Sequence, residues 1–153
     1  MDSQKLHFLK NEFVPLLRKL APDAKGKWGV MNGQQMVEHF GDSVKNAAGK
    51  LHLPLVNEGE RLTKLREFLL SDKPFRENTK NPLMPEEPRP VRLPSMDMAV
   101  DRVQKYLDYF FEAFEENPQL TTHNPIFGEL DYAGNIQLLH KHAMHHLHQF
   151  GLV

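Results

Sequence analysis

The sequence predicts an all-α protein arranged as a four-helix bundle. Four long segments repeat apolar residues at spacings of three and four, helix-capping residues bracket them, and no stretch shows convincing strand-like alternation. With 153 residues and 40% hydrophobic content, the chain suits a single domain spanning 1–153 around one core.

The first helix is expected over 3–20, where Leu6, Leu9, Phe13, Leu16, Leu17 and Leu20 form one buried stripe. Pro15 falls inside this pattern and should kink or restart the helix, because proline lacks the N–H and crowds the preceding turn. The second helix follows Trp28-Gly29, which anchors its start or lines a pocket mouth. Asn32 and Gln35 have the spacing of a capping box, Met36, Val37, Phe40 and Val44 give the stripe, and Gly49 is a natural stop.

A short helix is expected over 60–70, with Leu62, Leu65, Phe68 and Leu69 on one side. The stretch SDKPFRENTKNPLMPEEPRPVRLPS then holds six prolines and cannot be regular helix. Connections this long usually cover a functional region or are disordered. An ordered wrapping segment over 71–94 is expected, pinned by Phe75, Leu83, Met84 and Leu93. The third helix covers 95–117, with Ala99, Val100, Val103, Tyr106, Leu107, Phe110, Phe111 and Phe114 on a wide apolar face. HNPIFGEL reads as a short turn anchored by Phe127. The fourth helix runs over 131–150 from Asp131 as N-cap. The long link between helices two and three allows those two to lie parallel.

A formal net charge of −1 provides no global field for nucleic acid or an anionic membrane, and neither is expected as a partner. There is no cysteine, so disulfides, thiolate ligands and cysteine nucleophiles are excluded. The N-terminus has no apolar signal region, and no apolar run is long enough to span a bilayer. A soluble cytoplasmic protein is expected.

Histidine is over-represented: nine in all, five of them between 140 and 148. In a helix, His142 and His146 lie four apart on one face, within roughly 40° of each other. Two imidazoles seldom make a tight site. His39, set among Met36, Phe40 and Ser43 on the second helix, is the best third ligand. If helices two and four run antiparallel, His39 is level with the pair. Three neutral imidazoles suit a divalent ion, zinc or nickel foremost, with iron, cobalt and manganese also admissible. They leave a coordination position for water or substrate. His140, His145 and His148 read as solvated or hydrogen-bonded surface residues, His7 and His52 as solvent-facing, and His123 as a turn residue. Glu38 reads as a solvent or pairing residue.

The stretch WGVMNGQQMVEH, ending at His39, resembles the start of the second helix in DinB-like proteins, a superfamily of metal-dependent enzymes. HAMHHLHQ, from His142 to Gln149, resembles their closing motif. NPIFGELDYAGNIQLLHKHAMHHLHQFGL and FRENTKNP are similar to a subgroup of unassigned function. The resemblance covers most of the chain. It implies an up-down-down-up bundle, metal ligation by His39, His142 and His146, and a homodimer. It also implies a small-molecule substrate, with bacillithiol transferase-like S-transfer from a low-molecular-weight thiol, or hydrolysis, as the chemistry, the nucleophile being a metal-bound thiol or water. Some relatives carry a further histidine where this chain has Gln149. Glutamine cannot shuttle a proton, so Gln149 is expected to orient a ligand or hold bound water. His145 remains the acid–base candidate. Two other readings stay open. One is a non-enzymatic metal-binding or stress-related bundle whose site is closed by His145 or His148. The other is a structural or interaction bundle with incidental histidines.

Overall fold

Proline sets the first break in the chain. In the computed structural model, which describes residues 1–78 and 86–153, α1 (Ser3–Asn11) stops and α2 (Phe13–Leu17) begins two residues ahead of Pro15. Continuing α1 would drive the Pro15 ring against the Asn11 carbonyl and leave that carbonyl without its donor. Placed in the first turn of α2, the missing N–H costs nothing, since that turn has no acceptor for it.

The other helices begin at caps. In α3 (Gly33–Ala47), Asn32 and Gln35 form a reciprocal capping box, and Gly49, at φ +78, follows its end. Glu58 precedes α4 (Gly59–Leu70) without a side-chain cap. Ser95 caps α5 (Met96–Glu116), and Asp131 caps α6 (Tyr132–Gln149). These are the six helices of the described residues, and none is long and apolar enough to cross a membrane.

Between α5 and α6 the expected turn is instead a small antiparallel hairpin, β1 (Thr122–Asn124) with β2 (Gly128–Leu130). The Asn124 side chain accepts from the Ile126 and Phe127 amides, and Gly128 takes φ +76. This is the local chemistry of a three-residue hairpin loop. Strands of three residues are too short to show alternation in a sequence, which is why they read as a turn.

The main core is built from α1, α2, α3, α5 and α6, with Phe13, Phe40, Phe110 and Phe114 as its largest fully buried side chains. A smaller cluster of Leu69, Phe127 and Leu130 joins α4 to the hairpin. Contacts fix the helix directions. Along α3 and α5, Gly41 meets Arg102, Lys45 lies over Tyr106, and Lys50, just past α3, lies over Tyr109. The contacts climb together, so these helices run parallel. Lys5 with Gln137 and Phe8 with His140 make α1 and α6 parallel as well. Against α5, α1 runs the other way, since Lys10 bonds Glu115 while Arg18, beyond α2, bonds Asp101. α3 and α6 are antiparallel: His39 meets His142, whereas Ala47 lies level with Asn135 through Thr122.

The described parts of the connecting segment are tied to the helices. Glu38, at 3% exposure, accepts from the Arg92 and Leu93 amides and from Gln34, and also pairs with the Arg92 side chain. Of the two expected roles, pairing holds and solvent exposure does not: Glu38 is a buried clamp for the segment. Burial pushes the Asp42 carboxyl up, yet Arg102 and Arg92 together hold it below its usual range. At the other end, the Lys141 ammonium donates to the Ser71 and Lys73 carbonyls, and Gln137 donates to Leu69 and Ser71. Cation and amide thus satisfy the carbonyls at the end of α4. Phe75 and Leu93 anchor the segment as expected, while Leu83 and Met84 lie outside the described residues.

Candidate metal centre

Antiparallel α3 and α6 set the N-terminal half of one beside the C-terminal half of the other. His39 therefore faces the turn of α6 that carries His142 and His146. The Nε2 atoms of His39 and His142 are 3.2 Å apart, and those of His142 and His146 are 2.8 Å apart. One ligand atom from each of the three lies within 4.8 Å of the others. Imidazole nitrogens each about 2.0–2.1 Å from one ion sit roughly 3 Å from one another, so this spacing fits a single cation. Among the described residues, three His could hold a metal ion here, and neither His145 nor His148 joins the group.

Burial prepares the nitrogens. His146 is 5% exposed, and His39 and His142 retain limited surface. The Phe40 ring lies 4.9 Å from that of His142, and Phe75 approaches His142 edge-on at 6.4 Å. Desolvation lowers the His39 pKa to about 4; Asp42 opposes the shift and His145 adds to it. Burial, followed by mutual repulsion, pushes His142 and His146 well below the usual histidine range. All three are neutral at pH 7, as a ligand must be.

Gln149 settles which His146 nitrogen is free. Its Oε1 lies 2.7 Å from His146 Nδ1, and its Nε2 donates to the Trp28 carbonyl at 2.9 Å. A carbonyl only accepts, so the amide orientation is fixed. Nδ1 then carries the proton, and the Nε2 lone pair points at the shared centre. The Lys27 amide also donates to the Gln149 backbone carbonyl. A Cβ on Gly29, at φ +79, would stand 2.9 Å from Gln149 Nε2. The close approach and the positive φ both call for glycine here. Gln149 thus ties His146 to the Trp28 backbone. Gln149→Leu should weaken metal affinity roughly 10- to 100-fold, read by competition against a chromophoric chelator, with the helical circular dichroism unchanged.

His145, expected as a solvated or hydrogen-bonded surface residue, is half-buried. It lies between Trp28, 5.4 Å away ring to ring, and Phe75, at 5.9 Å. Burial lowers its pKa, opposed by the Phe75 backbone carbonyl and Glu77. His140 is likewise partly buried, edge-on to Phe8 at 5.3 Å, and only His148 of the five is exposed. Two surface cavities, of about 730 and 510 Å³, lie elsewhere on the molecule.

The neutral imidazoles have a consequence for pH. The unfolded chain takes up a proton at each histidine near pH 6.5, whereas folded His39 does so only near 4. Between those values the unfolded state binds more protons, so stability falls as pH falls. For His39 alone the loss by pH 4 is on the order of 3 kcal/mol, and His142 and His146 shift in the same direction. Urea unfolding of metal-free protein should show this decline beginning below about pH 6.5.

No family model matches the chain, and the comparisons with curated proteins and solved structures gave no match.

Proposed function

We propose that this chain is a metal-dependent enzyme of the DinB-like type, in which His39, His142 and His146 hold one divalent ion. The observation that carries the reading is the convergence of three neutral imidazoles, from two helices distant in sequence, on one point. The tautomer imposed by Gln149 supports it. The helix directions support an up-down-down-up bundle of α1, α3, α5 and α6: α3 parallel to α5, α1 parallel to α6, and the two pairs opposed.

The donor set is all nitrogen and neutral, which favours Zn²⁺ or Ni²⁺ over the oxygen-seeking Mg²⁺ and Ca²⁺. When bound, such an ion supplies Lewis acidity, lowering the pKa of a thiol or water at a free coordination position. The chain's own residues orient the site and limit water. Phe40 and Phe75 flank the imidazoles, and Gln149 fixes His146. His145, held between Trp28 and Phe75, is the group placed to exchange a proton with a substrate at the rim. The substrate class is a small molecule, with a low-molecular-weight thiol and an electrophile as the first pair to assay.

The test is turnover of an electrophile such as a chloronitrobenzene by metal-loaded, untagged protein with a small thiol. Activity that disappears in His39→Ala and is reduced in His145→Gln supports the reading. Stoichiometric metal without any thiol binding or hydrolytic activity would favour a non-enzymatic metal-binding bundle instead.

A further inference from the structure

The three-histidine centre is closed on its inner side. Phe40, fully buried, lies 4.9 Å from the His142 ring, and Phe13, also fully buried, packs behind it at 4.7 Å. A close-packed core offers no path, so an ion or a substrate must arrive from the outer side. Two rings stand there. Trp28 and Phe75 flank His145 at 5.4 and 5.9 Å, and Phe75 also meets His142 edge-on at 6.4 Å. The two rings are held differently. The Trp28 carbonyl is bonded to Gln149, which itself holds His146, so Trp28 is fastened to the centre. Phe75 belongs to the connecting segment. Among residues 72–78 it alone turns inward, and the others are exposed.

One side chain holds this stretch against α6. The Lys141 ammonium, next in sequence to His142, donates to the Ser71 and Lys73 carbonyls. It also lies over the Phe68 ring at 4.7 Å, and Phe68 packs on Phe75 at 5.6 Å. Two of its three N–H donors thus meet carbonyls, while a ring face takes the remaining side. Bonds from an ammonium are of the stronger kind. The same group is strongly hydrated once released, so the fastening can open reversibly. Gln137, a turn earlier on α6, donates to the Leu69 and Ser71 carbonyls and keeps the end of α4 in place when Lys141 lets go. The Arg92 and Leu93 end is fastened separately, on buried Glu38.

We propose that residues 72–77 are a gate over the three-histidine centre, with Phe75 as the closing side chain and Lys141 as the latch. The gate rests on the reading that His39, His142 and His146 hold an ion. Closed, Phe75 covers the outer edges of His142 and His145. Open, it admits an ion or a small substrate. Phe75 offers no donor atom to an ion, so open and closed forms bind it about equally, and the gate's position does not alter affinity. It alters the rates of entry and exit, both by the same factor.

The experiment is stopped-flow exchange of Zn²⁺ on the untagged full chain, with association and release each followed by a chromophoric chelator. Phe75→Ala and Lys141→Met should each speed association and release alike, by roughly tenfold, with Kd unchanged to within about threefold. Phe75→Trp, which keeps an aromatic cover, should exchange no faster than wild type. The gate is overturned if either of the first two variants exchanges at the wild-type rate. It is also overturned if release alone quickens and Kd weakens to match, since Phe75 would then only support the ligands. A wild-type chain that binds no Zn²⁺ at the centre overturns the metal reading and the gate with it. Wild type that binds Zn²⁺, with exchange indifferent to Phe75, overturns the gate alone.

Discussion

Replacing His142 with alanine should abolish tight metal binding at the three-histidine centre while leaving the helices in place. His142 is the middle member of the triad, with its Nε2 3.2 Å from that of His39 and 2.8 Å from that of His146. Removing it takes away one donor and also the ring that fills the space between the other two. Loss of an outer-sphere partner already costs 10- to 100-fold in affinity. Loss of a direct ligand should cost more, on the order of 1000-fold. Competition against a chelator measures this, and His148→Ala, an exposed neighbour on the same helix, should leave the affinity unchanged. Equal losses in the two variants would mean that metal binding belongs to the histidine-rich surface and not to the convergent triad.

Metal should also raise thermal stability substantially. An ion bound only by the folded state, at a concentration about 1000 times its Kd, adds roughly 4 kcal/mol. For a chain of this length each kcal/mol moves Tm by about 2–4 °C. Adding chelator to metal-loaded protein should therefore lower Tm by on the order of 10 °C. In His39→Ala, the two curves should nearly coincide. A structural bundle with incidental histidines would give superimposable wild-type curves with and without chelator, so this measurement separates it from the metal-dependent readings. Acidification should act in the same direction, since protons compete for the same lone pairs.

Much of this architecture is legible in the sequence, because it rests on local chemistry. The capping box of Asn32 and Gln35, the caps Ser95 and Asp131, and the interruption caused by Pro15 all follow from residues within a turn of one another. The i,i+4 spacing of His142 and His146 is also local. His39 needed more: its pairing depends on α3 and α6 being antiparallel, which spacing permits but cannot dictate. What escaped the sequence depends on contacts between segments far apart in the chain. Glu38 looks like an ordinary helix carboxylate, until the 92–93 amides and the Arg92 guanidinium are found on it. Lys141 looks like a surface cation, yet it closes the end of α4. His52 stacks on His123, far away in sequence, beside Asn46, a third residue that bonds both segments. The neighbours of His145 are hidden for a related reason, since Trp28 and Phe75 flank it from two separate loops.

The most direct test of the central claim is the position of a bound ion in crystals of untagged protein loaded with one equivalent of Zn²⁺. The metal should lie between α3 and α6, bonded to Nε2 of His39, His142 and His146 at about 2.0–2.1 Å, with Gln149 still on His146 Nδ1. An ion held by fewer than these three nitrogens, or seated on His145 or His148, would contradict it.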